Sequence, residues 1–300
     1  MNTAFVSVII PVLNDAKRLK ICLEALENQT YPKNLYEVIV VDNGSEEDIQ
    51  ALVTNFGQAK YISETRPGSY IARNKGLSIA KGELIAFTDA DCIPALDWLE
   101  KGAPNLLKVP DCGLVAGKIE IFYKNPNKPT AVELYESFVA FPQKYFVEVM
   151  RFGATANVFT TKTVIKHVGN FNEKLKSGGD TEWGQRVFSS GYKLLYADDT
   201  SISHPGRYSL RDLYKKHIRL ADGQYNLIIK RGGNTFVTFL ENTYKELFPS
   251  IGSIHFIISN ETFKQMNSQQ KLKVIFVGLS VRLLRVMEKL RLLLGGRAIS

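Results

Sequence analysis

Short apolar runs rich in β-branched residues alternate, through the first half of the chain, with stretches whose apolar residues recur at helical spacing. The run from Phe5 to Val12 (F-V-S-V-I-I-P-V) predicts a strand ending at Pro11, and Arg18 to Asn28 keeps the helical period after Asn14 and Asp15. Glu37 to Val41 predicts a second buried strand, closed by the turn-forming residues Asp42, Asn43, Gly44 and Ser45, and Glu46 to Phe56 a second helix. A weaker strand over Lys60 to Ser63, a helix over Ser69 to Ala80 and a strand over Leu84 to Thr88 continue the alternation. Strands separated by helices of this length are the signature of βαβ units on a largely parallel sheet. Further on, the pattern predicts a strand over Gly113 to Phe122 and an aromatic-rich helix over 130 to 150, broken at Pro142. It also predicts ordered structure at Ala154 to Thr160, a helix over Thr181 to Ser189 and a strand over Lys193 to Ala197.

Strands that are apolar almost without interruption belong to a sheet covered on both faces, where ligands sit outside the carboxyl ends of the strands. Asn14 and Asp15, Asp42 to Ser45, and Asp89 to Asp91 each follow a strand directly, so these three groups are expected to line one crevice. The pattern changes after about Pro205. Tyr208 to Arg231 is basic and helical in period, and Lys271 to Leu294 is a long apolar stretch punctuated by Arg282, Arg285, Lys289 and Arg291. Those charges leave too short an apolar run to span a bilayer, so this segment is expected either to pack as a core helix or to lie in a headgroup layer. The expected division is a nucleotide-binding and catalytic domain over 1–205 and a basic helical region over 206–300.

Charge sharpens that division. The chain of 300 residues carries a net charge of +8, but residues 201–300 hold 16 Lys and Arg against 6 Asp and Glu, while residues 1–200 are slightly acidic. Positive charge beside apolar helical faces points to an anionic membrane surface, and without interleaved stacking aromatics no nucleic-acid partner is expected. A hydrophobic content of 45% excludes a disordered chain, and three cysteines, Cys22, Cys92 and Cys112, are read as reduced thiols of a cytoplasmic protein. The N-terminal run lacks a basic leader and is read as a strand, not a signal peptide.

Four clusters offer chemistry. Asp89 and Asp91, at i and i+2 after a strand, supply the hard oxygen ligands suited to Mg²⁺ or Mn²⁺ on a diphosphate, although an Asp-x-Asp alone is more often a solvated turn. Asp180, in G-G-D-T-E-W, stands where a helix starts and can serve as a base toward an incoming hydroxyl, or simply as an N-cap. Arg73 and Lys75, around Asn74, present cations to phosphate oxygens. His204 offers a nitrogen to the cation or a contact to the diphosphate.

The order of these pieces, S-V-I-I-P-V-L-N at 7–14, V-V-D-N-G-S at 40–45, A-R-N-K-G at 72–76, F-T-D-A-D at 87–91, G-D-T-E at 179–182 and finally His204, resembles glycosyltransferase family 2. The resemblance implies an inverting enzyme of the GT-A fold, an α/β architecture with a mostly parallel sheet flanked by helices, here followed by a basic helical C-terminal extension. It implies that Pro11, Asn14 and Asp42 line the pocket for the nucleotide of a nucleotide-diphospho-sugar donor, that Asp89 sits near the ribose, that Asp91 ligates Mn²⁺ or Mg²⁺, and that Asp180 is the catalytic base. Glu182 and Trp183 then stand on the acceptor side, in place of the family's more usual Asp and Leu, and Gly179 replaces the first acidic residue of its Glu-Asp pair. The implied acceptor is a hydroxyl of a glycan or lipid-linked saccharide, receiving one sugar from a UDP-sugar at the inner face of a membrane. A nucleotidyltransferase and a non-catalytic nucleotide-sugar binder are the rival readings. The first would carry a Gly-rich basic loop after the first strand, and no Gly falls between Val12 and Lys20.

Overall fold

The structure is a computed structural model describing residues 4–231, 241, 243–244 and 261–294. Its centre is β1 (Val6–Val12), in which every residue except Pro11 is buried. Beside it runs β2 (Tyr36–Asp42), buried along its whole length, and then β3 (Ala59–Ser63); on the other side lies β4 (Leu84–Thr88). These four strands are parallel, with Val12 beside Asp42 and Asp42 beside Ser63, so their carboxyl ends form one edge. The helices between them form for the reasons the sequence pattern gives. α1 (Ala16–Glu27) buries Leu19, Cys22, Leu23 and Leu26, an i, i+3, i+4, i+7 stripe. α2 (Ile49–Val53) is capped by the Asp48 side chain, which accepts from the Ala51 N–H at 2.9 Å.

Past β4 the sheet changes direction, which the strand patterns do not reveal. The full order among the described residues is β3-β2-β1-β4-β7-β6-β8-β5, with β5 (Ile93–Pro94), β6 (Cys112–Phe122), β7 (Asn157–Thr161) and β8 (Lys193–Pro205). The pairs β4–β7, β6–β7 and β5–β8 are antiparallel, so the sheet is mixed and the parallel part is its first half. A strand covered on both faces is apolar throughout whichever way its neighbour runs, and apolarity therefore cannot report direction. Two helices absent from the sequence reading flank this half: α4 (Trp98–Lys108), which carries Pro104 internally, and α7 (Lys162–Val168). Trp98, fully buried, donates its indole N–H to Asn157 Oδ1 at 2.9 Å and packs against Phe159. Over 130–150 the expected break is present. α5 (Ala131–Val139) stops before Pro142, α6 (Gln143–Tyr145) follows, and Phe146–Met150 winds as a single wide π-turn.

The chain divides into two compact units, one of residues 1–120, 142–174 and 179–204, the other of 121–141, 175–178 and 205–300. The second unit thus draws in segments that precede position 206. Its described helices are α5, α9 (Leu210–Arg231), α10 (Glu261–Gln265) and α11 (Ser268–Leu293). α11 is opened by a reciprocal capping box between Asn267 and Gln270, and buries Val274, Val277 and Val281 among Val132, Leu134, Phe138 and Leu213. Glu136, buried in this unit, accepts from Lys216 Nζ at 2.7 Å and from the Arg207 backbone N–H at 2.8 Å. Burial opposes its ionisation, but the two cations and these hydrogen bonds outweigh burial and hold its carboxyl below the usual range.

Candidate active site

The functional residues are set by what happens at the carboxyl edge of β1, β2 and β4. After β1 the chain turns through Asn14, whose positive φ of 50° is one that Asn tolerates. Asn14 donates its backbone N–H to Ser45 Oγ at 2.9 Å and accepts from the Glu46 N–H at 2.7 Å, which locks the β1 turn onto the β2 turn. Asp42, at the end of β2, is buried. Its carboxylate accepts from the Ser45 N–H at 2.9 Å and from the Tyr61 hydroxyl at 3.2 Å. Asn43 clamps the next loop, donating to the carbonyls of Glu64 and Arg66 and accepting from the Gly68 N–H at 2.7 Å. Pro11 lies half-buried beside Val41 at the same edge.

α3 (Ser69–Ile79) is unusual in burying polar residues, Arg73 and Asn74, beside Tyr70, Ala72 and Gly76. Asn74 exchanges hydrogen bonds with the backbone of Phe171 at 2.9 and 3.0 Å, so it holds the segment leading toward position 180. Arg73 Nη2 donates to Asp89 Oδ1 at 2.5 Å, while its buried Nε has no partner among the described residues. Lys75 is half-buried on the same helix and contributes to the field that acts on Glu64.

Asp91 follows β4. Its Oδ1 lies 3.7 Å from His204 Nε2 and its Oδ2 3.5 Å from Arg18 Nη1. Arg18 is itself held by Asp15 at 2.6 Å. Burial raises the Asp91 carboxyl above its usual range; His204 and Arg18 pull it down, and Asp89 and Asp15 push it further up. Single ligand atoms of Asp91, Cys92 and His204 lie within 4.8 Å of one another. Carboxylate oxygen suits Mn²⁺ or Mg²⁺, and an added imidazole nitrogen suits Mn²⁺ better than Mg²⁺, whereas the buried Cys92 thiol, its pKa pushed far up, stays protonated and is no ligand for a hard cation. The donor set therefore fits a divalent cation through Asp91 and His204.

Asp180 stands in the first turn of α8 (Gly179–Ser189). Its Oδ1 accepts from the Thr181 N–H at 2.9 Å and the Tyr70 hydroxyl at 3.3 Å. Burial raises its pKa and Asp89 adds to this, against the Thr181 N–H, Arg73 and Tyr70. A shift upward toward neutrality is what a general base needs. Arg73 and Asp89 act on Asp180, Asp89 acts on Asp91, and the Asp15–Arg18 pair joins Asp91 to the turn that Ser45 ties to Asp42. The carboxylates distant in sequence are thus parts of one connected array.

The two acceptor-side candidates, Trp183 and Glu182, are both engaged within the protein. Trp183 is buried, its indole N–H donating to the Gly169 carbonyl at 3.0 Å and its ring against Phe171, so it is a core residue. Glu182 binds Arg186 at 3.0 Å one turn along α8, and that Arg also donates to the carbonyls of Val168 and Asn170, so the pair anchors a loop. Tyr70 and Arg18 were not singled out in the sequence. Only Arg18 carried a local signal, three residues after Asp15 on a helix start.

The profile described as Glycosyl transferase family 2 matches residues 7–170, more than half of the chain. The chain belongs to glycosyl transferase family 2. Like other members it is a glycosyltransferase, and its relatives agree. Glycosyltransferase AglE of Haloferax volcanii is 40% identical over 225 residues, covering 73% of each chain. A Methanococcus voltae enzyme named dolichyl N-acetyl-alpha-D-glucosaminyl phosphate 3-beta-D-2,3-diacetamido-2,3-dideoxy-beta-D-glucuronosyltransferase is 26% identical over 76% of this chain and 75% of its own. Among solved structures, the mannosyltransferase PcManGT from Pyrobaculum calidifontis, in complex with GDP-Man and Mn²⁺, superposes with a TM-score of 0.65 at 18% identity over 97% of this chain and 88% of that one. The family fold is the GT-A-like α/β architecture, a mixed sheet flanked by helices.

Proposed function

We propose that this glycosyltransferase moves one sugar from a nucleoside-diphosphate donor, a UDP-sugar, to a hydroxyl of a lipid-linked or saccharide acceptor, with inversion and with a divalent cation. The observation that carries the reading is the Asp180–Arg73–Asp89–Asp91 array at the carboxyl edge of the sheet. Asp180, raised toward neutrality by burial, takes the proton of the acceptor hydroxyl. The acceptor oxygen bonds to the anomeric carbon as the bond from that carbon to the diphosphate oxygen breaks on the opposite face, and the nucleoside diphosphate leaves with the electron pair. Asp91 and His204 would hold Mn²⁺ or Mg²⁺, which supplies charge compensation for the departing diphosphate. Arg73, whose Nε is buried without a partner, and Lys75 add positive charge for the phosphates. Pro11, Asn14 and Asp42 shape the nucleotide pocket, with Asp89 toward the ribose. The Mn²⁺ and nucleotide sugar bound by the Pyrobaculum protein, and the dolichyl-linked acceptor in the Methanococcus enzyme's name, support the donor and acceptor classes.

Residues 1–205 carry this chemistry, and 206–300 bring the enzyme to an anionic membrane. The support for the second part is α11, whose outer face exposes Leu272, Phe276, Leu279, Leu283, Met287 and Leu290 within a region of net positive charge. No helix among the described residues is long and apolar enough to cross a membrane.

Calorimetry with UDP and GDP, each with and without Mn²⁺, tests the donor and cation assignments. UDP is expected to bind about tenfold or more tightly when Mn²⁺ is present, the equivalent of about 1.4 kcal/mol, and Asp91→Ala to erase that increment. Equal UDP affinity with and without Mn²⁺ contradicts the cation's role, and a preference for GDP contradicts the donor.

A further inference from the structure

Position 179 has no side chain, and the structure gives a physical reason. A Cβ there would lie 2.6 to 2.7 Å from atoms of the Tyr70 ring, closer than carbon atoms approach, and no shift of a flexible chain end could relieve it. The ring is buried, stacked on Phe171 with centroids 5.7 Å apart, and lies 5.8 Å from the Arg73 guanidinium. Held in this way, its hydroxyl reaches Asp180 Oδ1 at 3.3 Å across 110 residues of sequence. Tyr70 and Gly179 are therefore two halves of one arrangement: the glycine admits the ring, and the ring presents a donor to the neighbouring carboxylate.

We propose that Tyr70 is a positioning residue for Asp180, its hydroxyl aiming the carboxylate and favouring the ionised form, with Gly179 making room for it. The inference rests on Asp180 as the base. Four groups act on that carboxylate: Tyr70 and Arg73 from α3, Asp89 after β4, and the Thr181 N–H of its own helix. Tyr70, Arg73 and Thr181 favour the ionised form; burial and Asp89 oppose it. A Phe at position 70 keeps the ring and its packing and deletes only the hydroxyl, which donates to Asp180 and faces the backbone N–H groups of Gly179 and Asp180. The balance then tips toward the neutral carboxyl, so Asp180 must titrate at higher pH.

The test follows the Asp180 carboxyl by ¹³C NMR across pH on the full chain labelled at aspartate, with Asp180→Asn identifying the resonance. The expected result is a titration midpoint moved to higher pH in Tyr70→Phe, and moved the same way in Gly179→Ala, where the new methyl displaces the ring. The same midpoint in wild type and Tyr70→Phe overturns the proposal, because a ring that merely fills space gives no shift when its hydroxyl is removed. Transfer by the Asp180→Asn variant reports on the base separately. An inactive variant with an unmoved midpoint overturns the Tyr70 role alone, and an active one overturns the base and with it the positioning role.

Discussion

Glu37 shows how much of the site depends on a residue far from the chemistry. It lies near the start of β2 and is buried, where it accepts from the Ser7 hydroxyl at 2.7 Å, from Lys60 Nζ at 2.5 Å and from the Lys81 backbone N–H at 2.8 Å. Ser7 Oγ in turn accepts from the Gly82 N–H at 2.8 Å, so one carboxylate ties together the amino ends of β1, β2 and β4, the strands whose other ends carry the site. Burial disfavours its charge, but Lys60, the Lys81 N–H and Ser7 prevail and hold its pKa below the usual value. A carboxyl with a lowered folded-state pKa stabilises the fold above its unfolded pKa, and that contribution fades as pH falls through the folded value. Glu37→Gln is therefore expected to lower unfolding free energy at pH 7 by about 1–3 kcal/mol, the cost of leaving buried partners badly matched, with the gap to wild type narrowing in acid. Urea denaturation at several pH values measures it. A gap that stays constant with pH would mean that the charge of Glu37 contributes nothing.

At the scale of elements, α11 presents two unlike faces. One face packs through Val274, Val277 and Val281 inside its own unit, and the opposite face is an apolar stripe left exposed. The long apolar stretch that forms α11 was legible in the sequence, and so were β1, β2, β4 and α1; which of its residues face outward was not. Other elements were hidden for stated physical reasons. α4 is masked by its internal Pro104, and β5 is only two residues long. Which face of α8 meets the core is set by Phe171 and Gly169, against which Trp183 is buried, and the residues of so short a helix do not show that by themselves. If the exposed stripe meets a membrane, Phe276→Glu should reduce co-flotation with anionic liposomes several-fold while leaving the melting temperature within a few degrees, since its side chain is 66% exposed. Flotation unchanged by this substitution, or absent from wild type at low salt, leaves α11 without a membrane role.

Across the whole molecule, the catalytic reading depends on contacts between residues far apart in the chain. Arg73 meets Asp89 over 16 positions, His204 meets Asp91 over more than a hundred, and Tyr70 meets Asp180 over 110. Motif order exposed the carboxylates, because each follows a strand or opens a helix. It could not expose Tyr70 or Arg18, whose contribution is a direction and a distance that only the folded chain supplies. The central claim is that Asp180 accepts the proton while the rest of the array holds the donor. It is tested most directly by Asp180→Asn, with turnover measured on a nucleotide-sugar donor chosen by thermal-shift screening with Mn²⁺, beside calorimetry of UDP and Mn²⁺. The account predicts turnover lower by roughly 10²–10⁴-fold, the usual worth of a general base, with UDP affinity changed less than about threefold. Turnover close to that of the wild type would contradict it.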